Sequence, residues 1–248
     1  MTTCKCWAAV LIAVLLLPNV AANADPADDA YEKGRSCLEK KDYHAAITAF
    51  TEVIKLDPSN AKAYCERGRA YLGEEDLEEA LLAKSNGGYF PPKDDEAIAD
   101  FTEAIRRKPD FTEAYIHRGD AYVRKGEYDK AIADLTKAIR LTPKDAGAYL
   151  NRGEVYGLNR DHEMAIADYT EAIRLNPAHT GANMHRGNAY RNKGKYDHAI
   201  ADFTEAIRLT PDSASAYISR GRAYEQMGKK TEAEADFQQA KKLGYRTK

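Results

Sequence analysis

"IADFTEAIR" occupies Ile98–Arg106, and it returns as "IADLTKAIR" from Ile132, "IADYTEAIR" from Ile166 and "IADFTEAIR" from Ile200, each 34 residues after the one before. A catalytic site needs unlike residues brought together once, whereas a phrase at fixed spacing describes one structural unit stacked on itself. The phrase has helical spacing: Ala165, Ile166, Tyr169, Ala172 and Ile173 fall on one face of a helix. Upstream, "AGAYLNRGEVYGL" from Ala146 puts Tyr149, Gly153 and Tyr156 on one face, and a short polar turn joins the two segments. Pro177 closes the unit, because proline cannot continue the second helix. The unit is helix, turn, helix, and the predicted fold is all-α.

Composition agrees with such an array. Charged residues at 31% and hydrophobic ones at 44% fit a soluble globular or solenoid chain, and a formal net charge of -2 gives no reason to expect nucleic-acid binding. Residues 1–24 belong to a different class. A single Lys5 precedes the apolar run Ala8–Leu17, and "NVAANA" ends with small residues at Ala22 and Ala24. This reads as a secretory signal peptide cleaved after Ala24, so the predicted setting is extracytoplasmic, periplasmic or secreted. The apolar run has 10 residues, short of the ~20 that cross a bilayer. A membrane enters the reading only if that segment is retained.

The 34-residue frame has a large residue at position 4, Gly at 8, Tyr at 11, Ala at 20, an aromatic at 24, Ala at 27 and Pro at 32. In these positions the chain resembles the tetratricopeptide repeat family. The resemblance covers residues 25–248 as six repeats: 27–60, 61–111, 112–145, 146–179, 180–213 and 214–247. It implies a right-handed superhelical solenoid whose concave face is lined by the first helices. In this frame Cys37 and Cys65 occupy unlike positions and read as two separate packed thiols.

One departure from the family is regular. Position 7, usually Leu, is Arg67, Arg118, Arg152, Arg186 and Arg220 in repeats two to six, and position 23 is Asp100, Asp134, Asp168, Asp202 and Asp236. Repeat one has Lys33 and Ala49 there. Antiparallel helices set positions 7 and 23 opposite each other, which predicts an Arg–Asp bridge inside each of these repeats. The competing readings are a bridge to the preceding repeat and an anion-binding ladder.

Repeat two carries 17 extra residues near 77–93. Asp76–Ser85 reads as an added or extended helix, Gly87 and Gly88 as its stop, and "YFPPK" as an exposed loop. Tyr89 and Phe90 read either as a partner-binding tip or as part of an insertion packed back on the repeat. At the other end, Glu234 and Lys241 stand where repeats three to five have Ile, as a polar outer face of a terminal repeat requires.

The residues of a catalytic or metal site are missing. "HEMAI" at His162 lacks the second His of a helical zinc motif, and no phosphate loop, nucleophile elbow or dinucleotide fingerprint occurs. Neither an enzyme, a cofactor, a metal nor a small-molecule substrate is expected. Recognition remains, and the family geometry directs attention to the concave positions. Position 5 gives Ile116, Leu150, Met184 and Ile218, position 9 gives Asp120, Glu154, Asn188 and Arg222, and Arg191 lies on the same face. An apolar row beside mixed charge suits a protein or peptide partner laid along the groove as an extended segment or amphipathic helix. The alternative reading of that row is that it merely fills gaps between helices. The family's chaperone-tail clamp needs Lys at 5 and Asn at 9; Asn188 fits, but Met184 stands in place of the Lys. The predicted function is an interaction scaffold, with a self-associating structural protein or an envelope assembly factor as alternatives.

Overall fold

A computed structural model describes residues 25–82 and 93–245, the side chains of 75–82 apart. The predicted signal segment 1–24 and Gly87, Gly88, Tyr89 and Phe90 lie outside the described residues. Among those described, the chain is all helical, running α1 Pro26–Glu39, α2 Tyr43–Leu56, α3 Ala61–Leu82, α4 Asp94–Arg107, α5 Thr112–Arg124 and α6 Tyr128–Leu141. It continues as α7 Ala146–Leu158, α8 His162–Leu175, α9 Thr180–Asn192, α10 Tyr196–Leu209, α11 Ala214–Gln226 and α12 Lys230–Lys242. Each helix packs mainly on its neighbours in sequence, so the fold is a solenoid of stacked helix pairs. First helices of successive pairs also touch, α1 with α3, α3 with α5, α7 with α9 and α9 with α11. They therefore lie on the inside of the curve.

The turn inside each pair is set at position 15. Gly126, Gly194 and Gly228 have φ of 72°, 71° and 75°, and Lys41 and Arg160 take the same left-handed conformation at 58° and 63°. The residue after the turn donates its N–H back to the helix, as Asp161 does to the Tyr156 carbonyl at 2.8 Å, closing the helix end. In repeat two the equivalent Glu75 stays helical, and α3 runs on unbroken to Leu82. The extra segment is thus, as far as it is described, an extension of the first helix. The second-helix pattern repeated near Leu77 is absorbed into it, and α4 alone supplies the second helix.

Gly at position 8 is explained by position 24. A Cβ on Gly34, Gly68, Gly153, Gly187 or Gly221 would stand 2.7 Å from the ring of Phe50, Phe101, Tyr169, Phe203 or Phe237 respectively. The ring lies flat where any side chain would be, and this brings the two helices together over the small residues Ala46, Ala97, Ala165 and Ala199, all fully buried. The isoleucines of the second helix then reach the next repeat. Ile132 packs in a cluster with Val155, Ile166 with Ala189, and Ile200 with Ala223.

The arginines and aspartates meet within repeats. Arg67, Arg118, Arg152, Arg186 and Arg220 each donate Nε–H and Nη2–H to both oxygens of Asp100, Asp134, Asp168, Asp202 and Asp236, at 2.7–2.9 Å. The remaining nitrogen, Nη1, donates to the hydroxyl of Thr51, Thr102, Thr136, Thr170 or Thr204 in the preceding repeat, at 2.9–3.1 Å. Thr170 in turn donates its hydroxyl proton to the Ile166 carbonyl at 2.7 Å, which leaves the oxygen free to accept. Tyrosines of the same helix flank the guanidinium: Tyr149 and Tyr156 lie 5.8 and 5.9 Å from the Arg152 carbon. With every guanidinium nitrogen donating to a protein acceptor and its charge matched by a bidentate carboxylate, this row is a structural ladder. The threonine of the repeated phrase has its explanation here: it is the acceptor for the next repeat's arginine. Repeat one, which has no rung of its own, still supplies Thr51, and repeat six, which has one, carries Gln238 in that place.

Both described cysteines are free thiols, with Cys65 buried and Cys37 partly so. Burial pushes the Cys65 thiol up to about 12, so it packs as a small apolar side chain.

Candidate functional site

The inner face is formed by α1, α3, α5, α7, α9 and α11, and its residues divide into two kinds. At position 5, Ile116, Leu150 and Met184 are half buried, each packed against a cluster that joins two repeats. The apolar row thus spends part of its surface on packing and shows the rest to the groove. At position 9, and at position 12 of repeats five and six, the side chains are polar, and the fold leaves several of them without a partner. Asp120, Asn188, Arg191 and Arg222 make no side-chain hydrogen bond or ion pair among the described residues. The outward faces differ, because there Glu103, Glu171 and Glu205 are tied to Arg106, Arg174 and Arg208 one turn on, at 2.6–2.7 Å.

Charge along the groove is ordered. Asp120 and Glu154 are close enough for Glu154 to raise the Asp120 pKa. Asp120 is open to solvent but ringed by protein on the concave side. Desolvation pushes its carboxyl up to about 6, with Arg124 opposing and Glu154 adding to the shift. Two repeats farther on, Arg191 and Arg222 are neighbours, and Arg191 has its pKa lowered first by burial and then by the Arg222 charge. They border a shallow hollow of about 350 Å³ with Asn192, Tyr196, Glu225 and Gln226. Asp120 and Glu154 therefore stand at repeats three and four, with Arg124 beside Asp120, and Arg191 and Arg222 at repeats five and six, with Glu225 beside them.

Between those ends, repeats four and five form an open hollow of about 390 Å³ lined by Glu154, Gly157, His162, Tyr169, His185, Asn188 and Asn192 among others. Its shape follows from two local departures. At position 24 Tyr169 stands where the other repeats have Phe50, Phe101, Leu135, Phe203 and Phe237, and at position 12 Gly157 stands where repeats one to three have Leu38, Leu72 and Val123. Tyr169 is 3% exposed, and its hydroxyl makes no hydrogen bond among the described residues. A Cβ at Gly157 would lie 3.6 Å from that oxygen, so the missing side chain is what opens the hollow onto it. Burial, with Glu154 second, raises the Tyr169 pKa and keeps the phenol a donor. The His185 ring stacks on Tyr169 with centroids 5.6 Å apart, and its Nε2 lies 3.2 Å from Glu154 Oε1.

His117 repeats this stacking on Phe101 at 5.8 Å, and burial lowers its pKa to about 4, so it is a packing residue at neutral pH. Ile218 and Arg222 also border a hollow of about 1000 Å³ at the end of the array, walled by Phe237 and Tyr245 and rimmed by Glu234 and Lys241. Sequence reasoning pointed to the first-helix positions but did not single out the Tyr169 hydroxyl, Gly157 or Asn192. The signal for the first was one hydroxyl in a row of apolar side chains.

A family model described as TPR repeat matches residues 34–73, 119–159 and 187–228, and two described as tetratricopeptide repeat match 146–179 and 214–243. No curated protein matches the chain. Among solved structures, MamA protein is 27% identical with a TM-score of 0.62, covering 77% of this chain and 94% of that one. A tetratricopeptide repeat protein from Parabacteroides merdae superposes with a TM-score of 0.70 at 20% identity, covering 90% of this chain and 81% of that one. YrrB, described as a TPR protein with an unusual peptide-binding site, is 22% identical with a TM-score of 0.60, covering 79% and 92%. Helix pairs, ring-on-glycine packing and matched repeats agree, and the chain belongs to the tetratricopeptide repeat family.

Proposed function

We propose that the protein is an interaction scaffold that holds an extended peptide or a helix of a protein partner along the face made by its first helices. One observation carries this reading. Asp120, Asn188, Arg191 and Arg222 on the inner face make no side-chain hydrogen bond or ion pair among the described residues, while Glu103, Glu171 and Glu205 of the outer face are paired locally. Half-open Ile116, Leu150 and Met184 supply apolar contact beside them. The likeness to YrrB, a protein described by its peptide-binding site, supports the reading at the level of the fold. Its chemistry is binding, without catalysis.

The test is affinity capture with the full chain beside an Asn188→Trp, Asn192→Trp variant, which fills the groove without entering the packed clusters. Proteins retained by the wild type and lost by the folded variant are the expected result. Equal capture by both would place recognition elsewhere on the molecule. The proposed setting is extracytoplasmic, supported by the pattern of residues 1–24. Chain recovered outside the cytoplasm is expected to begin at Asp25 by N-terminal sequencing; recovery only inside the cytoplasm, with Met1 or Thr2 first, would end that proposal.

A further inference from the structure

Resting on that reading of the groove, we propose that its ligand is a peptide recognised by charge order. A lysine or arginine side chain enters the hollow between repeats four and five beneath Glu154 and against the Tyr169 hydroxyl. An acidic side chain farther along meets Arg191 and Arg222.

Three independent features lead to this chemistry. The hollow holds one carboxylate, Glu154, and its lining carries His162 and His185 but no lysine or arginine; among the described residues Glu154 Oε1 has only the His185 Nε2 at 3.2 Å, so a permanent cation entering beside it gains a charge-assisted hydrogen bond. Buried Tyr169, its ring held between Gly153 and His185, directs only its unpartnered hydroxyl at the same space, where it can accept from an alkyl-ammonium or guanidinium group. Asn188 and Asn192 add amide carbonyl oxygens that accept from the same donors. Asp120, one repeat away, extends the negative potential. At the other end, Arg191 and Arg222 border one hollow whose single carboxylate, Glu225, is in ion-pair contact with neither, and a ligand carboxylate placed between the two arginines removes their repulsion. The five ladder arginines do not compete for it, being held by their own aspartates.

The experiment selects a random library of dodecapeptides on the immobilised full chain and resynthesises the enriched sequences with amidated C-termini, so that any carboxylate is a side chain. Enriched peptides are expected to carry a basic and an acidic residue at a fixed separation, and replacing either by alanine is expected to weaken binding roughly tenfold. Two variants probe the hollow with little change to the fold. Tyr169→Phe installs the residue of four other repeats, and Gly157→Val installs the counterpart of Val123. Each is expected to leave the melting temperature in place while abolishing the dependence on the peptide's basic residue. Arg191→Gln, Arg222→Gln is expected to abolish only the dependence on its acidic residue. Peptides that are lost by Asn188→Trp, Asn192→Trp yet show no charge order, or whose charge dependence survives these variants, overturn the inference and leave the groove reading intact. Peptides held equally by the groove-filled variant, or no enrichment at all, overturn the groove reading and the inference with it.

Discussion

Asp168→Ala is expected to cost about 3 kcal/mol of stability, because it leaves the Arg152 guanidinium charged, largely buried and without its carboxylate. Side-chain exposures of 15% for Arg152 and 6% for Asp168 put this pair well inside the repeat, where water replaces little of what is lost. The pair itself is a different matter. Desolvating both ions offsets much of their attraction, so Arg152→Met, Asp168→Leu is expected to recover most of the loss. Urea unfolding followed by circular dichroism, with amide exchange read in α7 and α8, checks both statements; the exchange data matter because a repeat array need not unfold in one step. A single variant within 1 kcal/mol of wild type, or a double variant no better than the single, would mean that the ladder carries no buried charge to speak of.

Phe203→Ala is expected to cost more, about 3–5 kcal/mol. The ring is fully buried and fills the space above Gly187, so its removal leaves a void bounded by two helix backbones that cannot close on each other without moving the next repeat. Repeat three shows the milder alternative. There Leu135 faces Gly119, with its Cγ 3.3 Å from where a Cβ would be. Phe203→Leu should accordingly cost much less than Phe203→Ala. Equal losses for the two substitutions, measured by the same unfolding experiment, would show that ring-on-glycine packing is not what holds a repeat together.

Much of this fold was legible because each repeat states the same thing. The 34-residue period, the two amphipathic segments and the closing proline made helix pairs readable, and the matched absence of Arg and Asp in repeat one pointed to their pairing within a repeat. What escaped notice depends on geometry between repeats. The Thr–Arg contact joins side chains 16 residues apart in the regular repeats, and no local rule links a threonine on one second helix to an arginine on the next first helix. The extension of α3 was ambiguous for a similar reason, since the same apolar spacing near Leu77 serves a new helix or a longer old one. In the groove, position numbers found the right helices. They left groove contact and gap filling as alternatives for the apolar row, where Leu150 and Met184 do part of each, and gave no warning that a lone tyrosine hydroxyl would open into a hollow.

The ladder has a consequence for how such a chain changes length. Each rung takes its carboxylate from its own repeat and its hydroxyl from the repeat before, and each repeat hands a hydroxyl on to its successor. Copying any interior block of 34 residues therefore creates one new arginine with both acceptors already in place, and leaves every older rung intact. A fold whose joints are identical can be lengthened by duplication with no compensating substitution, and "IADFTEAIR" is the wording that such copying preserves.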